Sequence, residues 1–254
     1  MILYMLKVAV SGVCGRMGGL IIQNVLSDDH MEFVAAFDMV NIGTEVEGVN
    51  ISDPQNMVNV LKNVKPDVLI DFTLADSSFE NVKKAAASGV NIVVGTTGFS
   101  DEQMDEMLRA IEGNVAAVIS PNFSIGVNVL WKMIKETSSY LEGYDIEIIE
   151  AHHRHKKDAP SGTAIYAAKL LGDKFVHGRD GICPRGDEIG IHSVRGGDIV
   201  ADITVLFAGD GERFEISHQA HSRQAFASGA ILAAKWVISA GKGVHSMGEV
   251  LGFK

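Results

Sequence analysis

From residue 6 to about residue 123 the chain alternates short, β-rich apolar runs with longer segments whose apolar positions recur every three or four residues. LKVAVS, EFVAAF, DVLIDF, NIVVGT and VAAVIS read as strands, with the first strand at residues 6–10. MGGLIIQNVL, PQNMVNVLKNV, SSFENVKKAAAS and DEQMDEMLRAI, which lie between them, read as helices. A strand without polar alternation is covered on both faces, and strands separated by helices form βαβ crossovers. The pattern therefore predicts an α/β fold, a doubly wound parallel sheet over residues 1–125. Helix starts are marked by Asp53 before Pro54, by Asp76 and Ser77 before FENVKKAAAS, and by Ser100 before an acidic first turn.

Beyond residue 123 the pattern changes. A helix is expected over 127–141, then a strand DIEIIEA and a helix beginning near Ser161. Three β-rich stretches follow, IGIHSVR, IVADITVLFA and ERFEISHQA, the last two joined through Gly209, Asp210 and Gly211 as in a hairpin. This predicts a second, α+β domain with an open mixed sheet at 126–235. A long helical pattern covers 223–240, and 236–254 is expected to pack back on the first domain. Gly126 and residues 235–241 are the expected hinges.

The first strand runs into Gly12, Val13, Cys14, Gly15, Arg16 and Met17, and then Gly18 and Gly19 open a helix. Glycines let a backbone turn sharply against a pyrophosphate, whose charge is met by the helix N-terminus. This makes the first domain Rossmann-like. The spacing is GxxGxxG, with Cys14 where a second glycine would give the closest approach, and a ligand-free glycine turn remains an alternative. Asp38 ends the second strand 20 residues after Gly18, the place of a carboxylate that accepts from an adenosine ribose. Later strand ends carry Asp71, Phe72 and Thr73, then Gly95, Thr96 and Thr97, and then Ser120, Pro121, Asn122 and Phe123, mostly small or polar residues where an open parallel sheet meets ligands.

Composition narrows the class. The net charge of −10 argues against broad nucleic-acid binding. No apolar run reaches the roughly 18 to 20 residues of a membrane span, and the apolar opening MILYMLKVAV lacks a basic leader. Cys14 and Cys183 lie far apart, which suits a reducing cytoplasm better than a disulfide framework. Against this acidic background His152, His153, Arg154, His155, Lys156 and Lys157 stand together, just before Asp158-Ala-Pro-Ser161-Gly162-Thr163. Ser161 is placed to cap a helix whose first amides, at Gly162 and Thr163, face an anion. Two carboxylates of one ligand would be held here, one by those amides and the Thr163 hydroxyl, the other by His153 and Lys156. A zinc site from the three histidines is an alternative, but the adjacent cations repel a divalent ion and no cysteine completes a ligand set. A solvated basic loop is the other. A histidine beside a lysine suits hydride addition to a conjugated imine, which needs a proton donor and a positive charge near the acceptor.

Taken together, VAVSGVCGRMG, DFT, VVGTTGF, SPNFSIGVN, EAHHRHKKDAPSGTA and VRGGDIVADITVLFAGDGERFEISHQAHSR closely resemble the dihydrodipicolinate (4-hydroxy-tetrahydrodipicolinate) reductases over essentially the whole chain. The resemblance implies reduction of a small cyclic dicarboxylate in diaminopimelate and lysine biosynthesis, with NADH or NADPH, by a cytoplasmic homotetramer assembled through the second sheet. It implies His152 as the catalytic histidine, Lys156 as a proton donor, and His153, Ser161, Gly162 and Thr163 as substrate contacts. For the coenzyme it implies residues 12–17, Asp38, residues 95–97 and residues 120–123. Asp38 in place of a frequent Glu, followed by Met39 where some members have Arg, favours NADH. No metal is implied. A related amino-acid or semialdehyde dehydrogenase and a non-catalytic nucleotide sensor are the competing functions; no nucleophilic cysteine follows a helix start, and a sensor has no need of His152 with Lys156.

Overall fold

The computed structural model describes residues 5–253. Met1–Tyr4, within the apolar opening, and Lys254, at the end of the tail expected to pack back, lie outside the described residues. The elements run β1 (Leu6–Ser11), α1 (Arg16–Leu26), β2 (Met31–Phe37), β3 (Glu45–Val46), β4 (Val49–Ser52), α2 (Met57–Val64), β5 (Val68–Asp71), α3 (Ala75–Ala87), β6 (Asn91–Val94), α4 (Asp101–Ile111) and β7 (Ala116–Ile119). They continue with α5 (Ile125–Ser138), β8 (Asp145–His152), α6 (Gly162–Leu171), β9 (Phe175–His177), β10 (Ile189–Arg195), β11 (Ala201–Gly209), β12 (Glu212–Ala220), α7 (Gln224–Val237), β13 (Gly243–His245) and α8 (Met247–Val250). Two compact units result. One comprises the residues up to Ser124 together with those from Gln224 onward, and the other is Ile125–Arg223.

The first unit is a sheet in the order β13-β7-β6-β5-β1-β2-β4-β3, parallel except at the β3–β4 edge. Strand order reverses at β1, which pairs with β2 on one side and β5 on the other. Alternate residues serve opposite cores: Val8, Val10, Val68 and Ile70 join one cluster with α1 and α7, while Ala9 and Leu69 join another with α2, α3 and α4. Burial on both faces accounts for the unbroken apolar runs.

The chain departs from expectation at several ends. The expected 126–235 division falls instead at 125–223, because α7 packs on α1, β5, β6 and β7. Its buried residues are Ala227, Gly229, Ala230, Ile231, Ala233, Ala234 and Val237, most of them small. Small residues there allow a close approach: a β-carbon on Gly229 would lie 1.7 Å from the Phe123 carbonyl oxygen. The expected hinge at 235–241 accordingly lies inside the first unit, whereas Gly126 follows the crossing at 124/125. A β-carbon on Gly126 would lie 2.5 Å from the His218 ring, so close packing of α5 on β12 accounts for that glycine. Asp76 and Ser77 lie within the first turn of α3, whose N-cap is Leu74; Asp76 faces the helix's positive end and accepts from Gln103. Pro54 opens a 3₁₀ turn before α2. Ser100 does form a capping box with Gln103.

In the second unit the sheet order is β12-β11-β8-β10-β9, mixed in direction. β11 and β12 pair as a hairpin up to Gly209 opposite Glu212. Ile148, Ile191, Ile203, Val205 and Phe207 pack on α5 and α6. Among the described residues no helix is long and apolar enough to cross a membrane.

Candidate active site

The first unit shapes a nucleotide-sized cleft at the C-terminal ends of its strands. Gly12 turns the chain at φ +85°, a conformation that side chains disfavour. The amides of Gly12 and Val13 donate to the Phe37 carbonyl at 2.8 and 3.4 Å, mooring the turn to β2. Gly15 donates back to the Gly12 carbonyl at 3.0 Å. Gly18 lies one turn into α1, where a β-carbon would come within 2.1 Å of the same carbonyl oxygen. The first turn of α1, from Arg16 and Met17, carries no acidic residue of its own. Cys14, Gly15 and Arg16 are exposed there and Met17 is half-buried.

Asp38 stands beside this turn. One carboxylate oxygen accepts from the Cys14 amide at 2.9 Å, the other from Met39 and Val40 at 2.8 and 3.2 Å. A cleft of about 390 Å³ extends from Ser11, Gly12 and Gly15 past Asp38 to Thr73 and Ser77. Met39 and Leu74, 72% and 80% exposed, give it apolar walls. Size, glycine turn, carboxylate and apolar walls together fit a dinucleotide's adenosine and pyrophosphate.

The neighbouring strand ends are tied together by Asp71, which is fully buried. Its carboxylate accepts from the Thr73 amide at 3.0 Å and from the hydroxyls of Thr73 and Thr96 at 2.8 and 3.2 Å. The Asn81 side chain donates to it at 2.8 Å and to Ser11 Oγ at 3.0 Å. Thr96 thus commits its hydroxyl to the interior, whereas Thr97 is exposed. Gly95 lets the Phe72 ring approach, since a β-carbon would meet it at 2.1 Å. Ser120 Oγ donates to the Asn122 carbonyl at 2.8 Å; Pro121 is exposed and Phe123 is buried against the Phe72 ring, centroids 5.6 Å apart.

In the second unit, β8 delivers Glu150 and His152 to its C-terminal end. Glu150 is fully buried, and one oxygen lies 2.6 Å from His152 Nδ1. The other accepts from the Ser161 amide at 3.1 Å, and Arg195 at the end of β10 donates to both at 2.8 Å. Arg195 also donates to the Asp158 carbonyl at 2.6 Å, and Lys156 Nζ pairs with the Asp158 carboxylate at 3.0 Å. His152, Glu150, Arg195, Asp158 and Lys156 thereby form one chain of polar contacts. Ser161 caps α6 through the Ala164 amide at 3.3 Å. Gly162 at the start of that helix is exposed, Thr163 and His153 are half-buried, and the His153 and His155 rings are 6.3 Å apart. Among the described residues no group of three or more His, Cys, Asp or Glu side chains could hold a metal ion.

Two family models divide the chain as these two sites do: "dihydrodipicolinate reductase, N-terminus" matches residues 6–123 and "dihydrodipicolinate reductase, C-terminus" matches 126–251. The chain belongs to the dihydrodipicolinate reductase family. The 4-hydroxy-tetrahydrodipicolinate reductase of Methanococcoides burtonii is 54% identical, with 98% of this chain and 100% of that protein covered. That of Methanocaldococcus jannaschii is 49% identical, with 98% of each covered. A dipicolinate-bound dihydrodipicolinate reductase from Paenisporosarcina sp. TG-14 superposes with a TM-score of 0.79 at 31% identity, covering 95% of this chain and 97% of that one.

In this dihydrodipicolinate reductase family member the sequence reading missed Glu150 and Arg195. In DIEIIEA a glutamate passes for a solvent-facing position. The available signal was parity: Glu150 points with Ile148, a core residue, and not with exposed Ile149. Burial alone would raise the Glu150 pKa, but hydrogen bonds from His152 and Arg195 overcome it and lower the value from 4.5 to about 2. Between those values the unfolded chain holds the proton more tightly, so stability is lost as pH falls from 4.5 toward 2. Denaturation midpoints recorded across that window should decline steeply for the native protein and more gently for Glu150→Gln. Equal slopes would show that Glu150 is not ionised in the folded state.

Proposed function

We propose that this protein reduces 4-hydroxy-tetrahydrodipicolinate to tetrahydrodipicolinate with NADH or NADPH, a step of diaminopimelate and lysine biosynthesis. The observation that carries the reading is the polar chain from His152 to Lys156 beside the N-terminus of α6. The substrate gains a hydride and a proton and loses its hydroxyl as water. Residues 12–17 and Asp38 hold the pyrophosphate and ribose, and residues 95–97 and 120–123 border the nicotinamide, which supplies the hydride when bound. Gly162, Thr163 and the capped turn at Ser161 take one carboxylate, and His153 with Lys156 takes the other. His152 gives up a proton next to the atom that acquires charge, and Lys156, itself a proton donor, offsets that charge. At an effective dielectric of about 20, unit charges about 4 Å apart interact by roughly 4 kcal/mol before desolvation.

The substrate class is supported by the dipicolinate bound in the Paenisporosarcina relative. NADH is favoured, because the Asp38 carboxylate, with a lone pair left beside the amides it accepts from, suits a ribose hydroxyl but repels a 2′-phosphate, and Met39 offers no compensating charge. The protein works as a homotetramer in the cytoplasm, without nucleic acid or membrane. Exposed Ile149 and Val194, on the face of the second sheet away from Ile148 and Ile191, support assembly through that sheet.

The test is to supply freshly generated dihydrodipicolinate synthase product and follow NAD(P)H absorbance. Turnover with kcat/KM higher for NADH is expected, and Met39→Arg should raise NADPH use. No oxidation of either coenzyme would reject the reaction. A native NADPH preference would place phosphate recognition elsewhere in the turn.

A further inference from the structure

The two residues that the reduction itself does not call for, Glu150 and Arg195, organise the two that it does. A carboxylate held ionised can only accept hydrogen bonds. The His152 nitrogen facing it at 2.6 Å, Nδ1, must therefore carry a hydrogen, which leaves Nε2 as the nitrogen that gains and loses a proton. The remaining lone pairs of Glu150 are taken by the Ser161 amide and by the Arg195 fork, so the carboxylate has little freedom to turn. The same fork reaches the Asp158 carbonyl and so fixes the loop whose Asp158 carboxylate holds Lys156. A buried ion pair is weak evidence for stability alone, since apolar residues of similar size often serve as well. Here each member of the pair also grips a segment bearing one of the reacting groups.

We propose that Glu150 and Arg195 are positioning residues: Glu150 fixes the tautomer of His152 so that Nε2 delivers the proton, and Arg195 holds Glu150 and the Lys156 loop in register. In the step itself, hydride enters the conjugated imine, the proton leaves His152 Nε2 for the charged substrate atom, and the neutral imidazole keeps its Nδ1 hydrogen until solvent reprotonates Nε2. The proposal rests on the roles assigned to His152 and Lys156, and one of its readouts is independent of turnover.

The full chain labelled with ¹⁵N-histidine reports both ring nitrogens of His152 through a pH titration. In the native protein Nδ1 is expected to stay protonated throughout while Nε2 titrates; in Glu150→Gln the Nε2–H tautomer should become populated. Per folded site, counted by NADH binding, Glu150→Gln should lose about tenfold or more in kcat, with substrate KM and NADH affinity little changed. Arg195→Lys, which keeps the charge but not the fork, should also lower kcat. A native Nδ1 that loses its proton overturns the proposal, as does a Glu150→Gln kcat per folded site equal to the native value. The native titration requires no variant to fold. If the native protein shows the fixed tautomer but no turnover, the assigned reaction falls and the tautomer assignment stands.

Discussion

Alanine at His152 is expected to lower kcat by about 10² to 10⁴, the range that a positioned general acid contributes, while NADH affinity stays near the native value. The fold should tolerate the change. His152 is one of several donors to Glu150, and the Ser161 amide and the Arg195 fork remain to hold the carboxylate. Lys156→Ala should also be severe in kcat, because the charge that balances the reduced intermediate is gone. Its stability cost should be small, since Lys156 pairs with a largely exposed Asp158 and exposed pairs contribute about 0 to 1 kcal/mol. Steady-state kinetics alongside NADH titration by fluorescence separates the outcomes. Loss of nucleotide affinity in step with kcat would move either residue into the coenzyme site.

Gly18→Ala is expected to weaken coenzyme binding by about tenfold or more and to lower the thermal midpoint by several degrees. In an open helix the same change would be favourable by up to about 1 kcal/mol. The environment reverses the sign. A β-carbon at Gly18 would lie 2.1 Å from the Gly12 carbonyl oxygen and 2.8 Å from both the Gly12 carbonyl carbon and Val13 Cα. All three are backbone atoms of the phosphate turn, so the helix must be levered away from the turn it should present. Gly19→Ala is the control, because a β-carbon there meets nothing within 4 Å among the described residues beyond its chain neighbours and its own helix backbone. It should leave coenzyme affinity unchanged and the midpoint level or slightly raised. Equal behaviour of the two variants would reject close helix–turn packing as the reason for Gly18.

Local signals were legible wherever one residue type has one reason to be present. The glycine turn, the Ser100 capping box, the Ser161 cap and the hairpin ahead of Glu212 each follow from such a reason. What stayed hidden depends on partners distant in sequence. Glu150 meets Arg195 across 45 residues, and only the register of β8 with β10 brings them together. The alanine-rich face of α7 shows that it packs closely, but not which sheet it covers. β13, three residues beginning at Gly243, is too short to show a pattern until β7 pairs with it. Asp71 ends an apolar strand and passes for a ligand contact, whereas burial and its hydrogen bonds make it an internal brace.

The placement of α7 also constrains the order in which the molecule can be completed. One side of the first sheet is covered jointly by Ile21, Ile22 and Val25 of α1 and by Ala227, Ala230, Ala233 and Ala234 of α7, and its last strand is Gly243–His245. Both α7 and that strand are translated after the whole of Ile125–Arg223. A ribosome that has released the first 124 residues has therefore exposed strands whose apolar face has α1 over it but still lacks α7. Joining them to α7 requires closing a long intervening loop, at an entropic cost that grows only logarithmically with its length. Folding the inserted unit first shortens the effective distance between the two ends. The nucleotide-binding half, although it begins the chain, is thus the last part able to reach its native core.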